Sequence, residues 1–123
     1  MEDYCNYQLS MLLKEKGFNE PCEADYFGPD STSVSIGIPK YNEYLVNGRC
    51  CAPSLAQAMK WLRDEKGIYI SLRPRIVEGR VIIRAEVEHM SKYGSFVTSI
   101  SIERKSYNDA CEEAIKYSAT DLI

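Results

Sequence analysis

The sequence predicts an α+β fold, an antiparallel meander sheet with helices packed on one face. Residues 68–104 alternate apolar and polar side chains in three successive runs separated by short turn signals. Helix-like segments with recognisable caps lie on both sides of those runs, at 54–67 and from 106 onward. At 123 residues and 45% hydrophobic content, the chain is long enough to bury a core as a single domain, 1–123. Its first part, 1–52, reads as a helix plus a β-hairpin. Its second, 53–123, reads as an α-β-β-β-α core.

Residues 3–17 predict the first helix, with Asp3 as a cap and Cys5, Leu9, Leu12 and Leu13 as the apolar stripe. Gly17 ends it, and Phe18 is placed to fold back over the terminus. Glu23–Phe27 and Ser33–Ile38 read as strands around a turn at Gly28-Pro29-Asp30-Ser31. In the second, Val34, Ile36 and Ile38 make a half-buried face that Pro39 stops. Tyr41–Val46 reads as a further strand before a turn at Asn47-Gly48.

The clearest local signal is Ser54–Gly67. Ser54 and Gln57 have capping-box spacing, and Leu55, Ala58, Met59 and Leu62 fall on one helical face. Ile68, Ile70 and Leu72 then alternate with Tyr69, Ser71 and Arg73. Glu78-Gly79 turns the chain, and Val81, Ile83, Ala85 and Val87 alternate with Ile82, Arg84, Glu86 and Glu88. Ser91–Gly94 turns it again, and Phe96, Thr98, Ile100 and Ile102 form the apolar set of the third strand. The last helix starts at Ser106 with Asp109 in capping position. Its buried stripe is Tyr107, Ala110, Cys111, Ala114, Ile115, Ser118 and Leu122. The endings LLKEKGF and WLRDEKGI share helix-stop chemistry without any wider repeat.

Composition excludes several classes of function. No apolar run is long enough to span a bilayer, and the start MEDYCNYQ lacks the basic, apolar character of a signal peptide, so a cytoplasmic location is expected. Five cysteines in no paired short spacing, with one histidine, predict neither a metal site nor a cofactor. No nucleotide-binding, zinc-protease or nucleophile-elbow motif is present. The net charge of −3 is uneven. Residues 1–52 carry four Lys/Arg against eight Asp/Glu, and residues 53–123 carry eleven against ten.

The candidate residues fall into three groups. Trp61, Tyr69, Tyr41 and Tyr44 are candidates for contact with a partner protein or a second copy of the chain, since tryptophan and tyrosine are enriched in interfaces. Tyr4 and Tyr7 also read as exposed. Arg73, Arg75, Arg80, Arg84 and Lys105, with Lys92 and Arg104, give the meander a local excess over Glu78, Glu86, Glu88 and Glu103. That excess fits either a weak phosphate-binding face or a solvated sheet face with cross-strand pairs such as Arg84 with Glu103. His89 follows the apolar alternation of its strand. It reads as a half-buried, hydrogen-bonded histidine, or with a nearby thiol as a thiolate–imidazole pair. Of the adjacent Cys50 and Cys51, one should be buried and one exposed. Cys111 belongs to the core.

The order helix–strand–strand–strand–helix over 53–123 resembles the double-stranded-RNA-binding domain in topology. That family carries a basic cluster at the start of its last helix. Here the matching segment, Lys105 through Glu113, turns acidic after Lys105, so the resemblance extends to connectivity alone. LLKEKGF–EPC, APSLAQAMKWLRDEKGIYI and SYNDACEEAIKYSATDLI together resemble small uncharacterised bacterial proteins, often encoded in prophage-like or mobile regions. That resemblance implies an accessory protein with no catalytic residues to carry over. The reading that follows is a non-catalytic protein-interaction module. The alternatives are a weak nucleic-acid-binding module on the arginine-bearing face and, third, a thiol enzyme.

Overall fold

Local rules account for most of the element boundaries in the computed structural model, which describes residues 3–29 and 33–123. Asp30 and Ser31 of the expected turn lie outside the described residues. The chain is α+β, with three helices and two three-stranded antiparallel sheets. It divides within its second helix into two compact units, residues 1–58 and 59–123.

In the first unit, α1 spans Tyr7–Glu15, four residues later than Asp3 would begin it. Asn6 is the cap, its side-chain oxygen accepting from the Leu9 amide at 2.8 Å. Gly17, at φ 99°, turns the chain out of the helix, and the Phe18 amide donates back to the Leu13 carbonyl at 2.9 Å. Strands β1 (Cys22–Tyr26), β2 (Ser35–Lys40) and β3 (Cys50–Cys51) form a sheet of order β2-β1-β3. Segment 19–52 therefore builds its own sheet and does not extend the meander. Tyr41–Val46 is not a strand: Asn42–Tyr44 form one 3-10 turn. The buried Asn42 amide fixes it, donating to the Phe18 carbonyl and accepting from the Cys51 amide.

Ala24, Tyr26, Cys50 and Ala52 line one side of this sheet, with Tyr4, Tyr7, Met11 and Val34 packed against them. Tyr4 and Tyr7 are thus half-buried, and Tyr7 donates to the Gly48 carbonyl at 2.8 Å. β2 runs through Pro39, which an edge strand tolerates because the missing N–H costs no ladder bond. Ile36 and Ile38 are exposed, unlike the half-buried face the alternation predicts. Both Cys50 and Cys51 are buried, so neither points outward.

Helix α2 (Leu55–Lys66) is capped by Ser54, whose Oγ accepts from the Gln57 amide at 3.0 Å. The box is only half made, because Gln57 Nε2 donates to the Pro21 carbonyl. In the second unit, β4 (Ile68–Val77), β5 (Arg80–Met90) and β6 (Phe96–Arg104) form the expected meander. Glu78 and Gly79, at φ 52° and 75°, make the two-residue turn that joins β4 to β5. Helix α3 (Tyr107–Asp121) is capped by Ser106 and packs across all three strands. Ala110, Cys111, Ala114, Ile115, Ser118 and Ala119 are its buried stripe; Tyr107, expected there, is exposed. On the sheet, Ile68, Ala85, Val87 and Ile102 are buried. α3 makes the main contacts with the strands. α2 reaches α3 through Met59, whose sulfur accepts from the Cys111 thiol at 3.5 Å.

Candidate functional site

The face of the β4–β5–β6 sheet opposite α3 carries exposed aromatic and cationic side chains. Strand alternation puts Tyr69, Ser71, Arg73 and Arg75 of β4 there, beside Arg84, Glu86, Glu88 and Met90 of β5. The third strand contributes by a device absent from its sequence pattern. The β5–β6 register shifts at Val87/Glu88, so Ile100 pairs with Val87 but Thr98 pairs with Glu88. One extra residue, Ser99, is bulged out, and every side chain before it changes face. Phe96 and Thr98, predicted to face the core, therefore stand on the open side.

The bulge has two consequences. Phe96 pairs with Met90 and meets the Tyr69 ring edge-on, centroids 5.4 Å apart. Tyr69, Met90 and Phe96 are 44%, 56% and 54% exposed, so this contact leaves them largely in water. Such a ring geometry is favourable by about 1 kcal/mol, enough to hold a preformed aromatic platform. The bulged Ser99 hydroxyl meets His89 Nδ1, which gives that half-buried histidine a neutral hydrogen-bond partner. Cys111, the one cysteine in residues 59–123, is bonded to Met59, and His89 has the hydrogen-bonded, half-buried setting that was the first of its two readings.

The arginines occupy the other end of the same face. Arg73 stands directly opposite Arg84, a like-charge cross-strand pair that disfavours the sheet unless something neutralises it. Arg84 is answered in part, with Nε 3.4 Å from Glu86 and Nη2 donating to Ser101 at 3.3 Å. Arg84 is also opposite Glu103 in register, but Glu103 pairs with Arg75 at 3.7 Å, in place of the expected Arg84 partnership. Arg73 and Arg80 make no ion pair among the described residues. Lys105 is exposed beyond the end of β6, off the array, and Arg104 pairs with Glu113 at 3.8 Å. Beyond the end of β6, the β4–β5 hairpin overhangs the sheet and exposes the cross-strand pair Ile76 and Val81.

The four aromatic candidates separate. Trp61 is 4% exposed and belongs to the core, with the Lys66 ammonium 5.4 Å from its ring centroid, so it presents no surface to a partner. Tyr41 and Tyr44 are exposed in the first unit and contact each other edge-on at 6.3 Å. Tyr69 alone shares a face with the arginine ladder. Sequence reading missed Phe96, because only the β6 bulge puts it beside Tyr69 and strict alternation hides a bulge, and it passed over Met90, which β5 alternation places on the same face.

In the first unit the unforeseen feature is Asp25. Its buried carboxylate lies 2.9 Å from the Arg49 guanidinium and 3.2 Å from the Lys40 ammonium, on the strand position opposite Cys51. This ties β2 and the residue before β3 to the central strand. No group of three or more His, Cys, Asp or Glu among the described residues could hold a metal ion. No helix of the described residues is long and apolar enough to cross a membrane. No family model, curated protein or solved structure matches this chain.

Proposed function

We propose that this protein is a non-catalytic protein-interaction module that docks a partner protein, or a second copy of itself, on the open face of the β4–β6 sheet. One observation carries the reading: Tyr69, Met90 and Phe96 form an exposed apolar cluster that shares a face with Arg73, Arg75 and Arg84. Aromatic residues, methionine and arginine are the types enriched in protein interfaces, where a partner desolvates the rings and answers the charges. The five free thiols fit a reducing, cytoplasmic setting. The same proposal takes the chain for an accessory protein of a phage-like set.

A nucleic-acid-binding module is the second reading, favoured by the unanswered Arg73 opposite Arg84 beside stackable rings. Glu86, Glu88 and Glu103 on the same face weigh against it. Binding measured at two salt concentrations separates the two. Phosphate contacts lose affinity steeply with salt, and the loss shrinks when Arg73, Arg75 and Arg84 are replaced together. A protein partner held by the aromatic cluster responds mainly to Phe96→Ala and Tyr69→Ala.

A further inference from the structure

Acids and bases occupy opposite halves of the open face of the β4–β6 sheet. Glu88 and Glu86 stand in the two cross-strand rows next to the Met90–Phe96 pair. Arg73, Arg84, Arg75 and Arg80 fill the next three rows, toward the β4–β5 turn. Successive rows on one face lie about 7 Å apart, two residues of strand. Glu103, which also lies in the basic half, is held by Arg75 at 3.7 Å. Arg73 faces Arg84 in the row beside Glu86, and it makes no ion pair among the described residues. A face that separates its charges in this way complements itself when turned end for end.

We propose, on the reading of this face as a docking surface, that its occupant is a second copy of the chain, packed sheet to sheet about a two-fold axis. The axis lies in the plane of the interface, across the strands, between the Ser71–Glu86 row and the Arg73–Arg84 row. Rotation about it lays each strand antiparallel on its own counterpart and exchanges those two rows. Glu86 of one copy then stands over Arg84 of the other and beside its Arg73, so the like-charge pair is neutralised from outside. One row further out, the Tyr69 ring meets Arg75 of the second copy, a cation–π arrangement. Met90 comes under the overhanging β4–β5 hairpin of the second copy, near its Val77. Such a contact is isologous and closes on itself as a dimer.

Charge selects this arrangement over its neighbours. Sliding one copy by a single row puts Glu86 on Glu86 in one direction and Arg84 on Arg84 in the other. A two-fold axis along the strands of β5 stacks each row on itself and does both. Like charges set face to face disfavour those alternatives. Packed sheets lie about 10 Å apart with their strands up to about 30° out of line. The rows nearest the axis stay in register best, and those rows carry Glu86, Arg73 and Arg84.

The test is sedimentation of the whole purified chain over a range of concentrations. It compares the wild type, Arg84→Glu, Glu86→Arg and an equimolar mixture of the two variants, each first checked for native circular dichroism. The wild type should pass from the mass of one chain to that of two as concentration rises. Each variant alone should pair about 30-fold more weakly or worse, because its two symmetric contacts become Glu–Glu or Arg–Arg. The mixture should recover the mass of two chains, since both contacts are then Glu–Arg. Neither poor folding nor loss of the 3.4 Å Arg84–Glu86 contact within one chain can produce that recovery. A wild type that stays single, variants that pair as well as the wild type, or a mixture that stays single would each overturn the proposal. A single chain that still captures a different protein through Tyr69 and Phe96 overturns the self-pairing and leaves the docking face standing. A single chain whose capture ignores those rings overturns both.

Discussion

Replacing Asp25 by asparagine removes a buried charge while keeping its shape, and should destabilise the first unit by about 3 kcal/mol. The carboxylate side chain is 1% exposed and faces two cations, Arg49 at 2.9 Å and Lys40 at 3.2 Å. Removing one partner from a buried ion pair typically costs about 3–5 kcal/mol, because the remaining charge is left unanswered in a poorly solvated place. Here the cations are 29% and 34% exposed and can turn toward water, which puts the loss at the lower end. Arg49→Met and Lys40→Met should each cost less, about 1–2 kcal/mol, because the other cation still answers the carboxylate. The double replacement strands the carboxylate alone and should cost more than the two singles added. Urea unfolding followed by far-UV circular dichroism gives the free energies. Amide exchange at Ala24, Tyr26 and Ala52 assigns the loss to residues 1–58, and Trp61 fluorescence reports on residues 59–123. A loss below about 0.5 kcal/mol for Asp25→Asn, the size of an ordinary surface change, would refute the idea that this triad holds the sheet together.

Two further outcomes are open to measurement. Glu78→Asn should stabilise the second unit by roughly 0.5 kcal/mol, since asparagine adopts the positive φ that Glu78 holds at 52° more readily; a chemical melt of the variant checks this. Ser106→Ala removes the cap bond to the Asp109 amide and should cost about 1 kcal/mol, seen as early exchange of the first turn of α3.

How much of this was legible in the sequence depends on how local the determining physics is. Ser54, Gly67, the Glu78-Gly79 turn and Ser106 act through neighbours in the chain, and the structure has the helix ends and the β4–β5 hairpin where those residues put them. The 3-10 turn at Asn42–Tyr44 was hidden because its cause is tertiary: Asn42 is held by Phe18 and Cys51, far away in the chain. Pattern reading sees Tyr44, Leu45 and Val46 as strand-formers and has no access to those partners. The open face was half legible. Tyr69, Met90 and the arginines follow from alternation, while Phe96 joins them only through the bulge at Ser99. Trp61 falls at the border of an apolar stripe, where helical spacing leaves both core edge and partner contact open, and the structure has it buried.

The central claim is that a partner protein docks on the face built by Tyr69, Met90, Phe96 and the neighbouring arginines. The most direct measurement is affinity capture from nuclease-treated lysate, comparing the wild-type chain with Tyr69→Ala/Phe96→Ala and with Tyr44→Ala, each first checked for native circular dichroism. A captured protein should survive nuclease and Tyr44→Ala, yet bind the double variant at least 30-fold more weakly, the loss of about 2 kcal/mol expected for an aromatic anchor. Capture that vanishes with nuclease, or that ignores Tyr69 and Phe96, would contradict it.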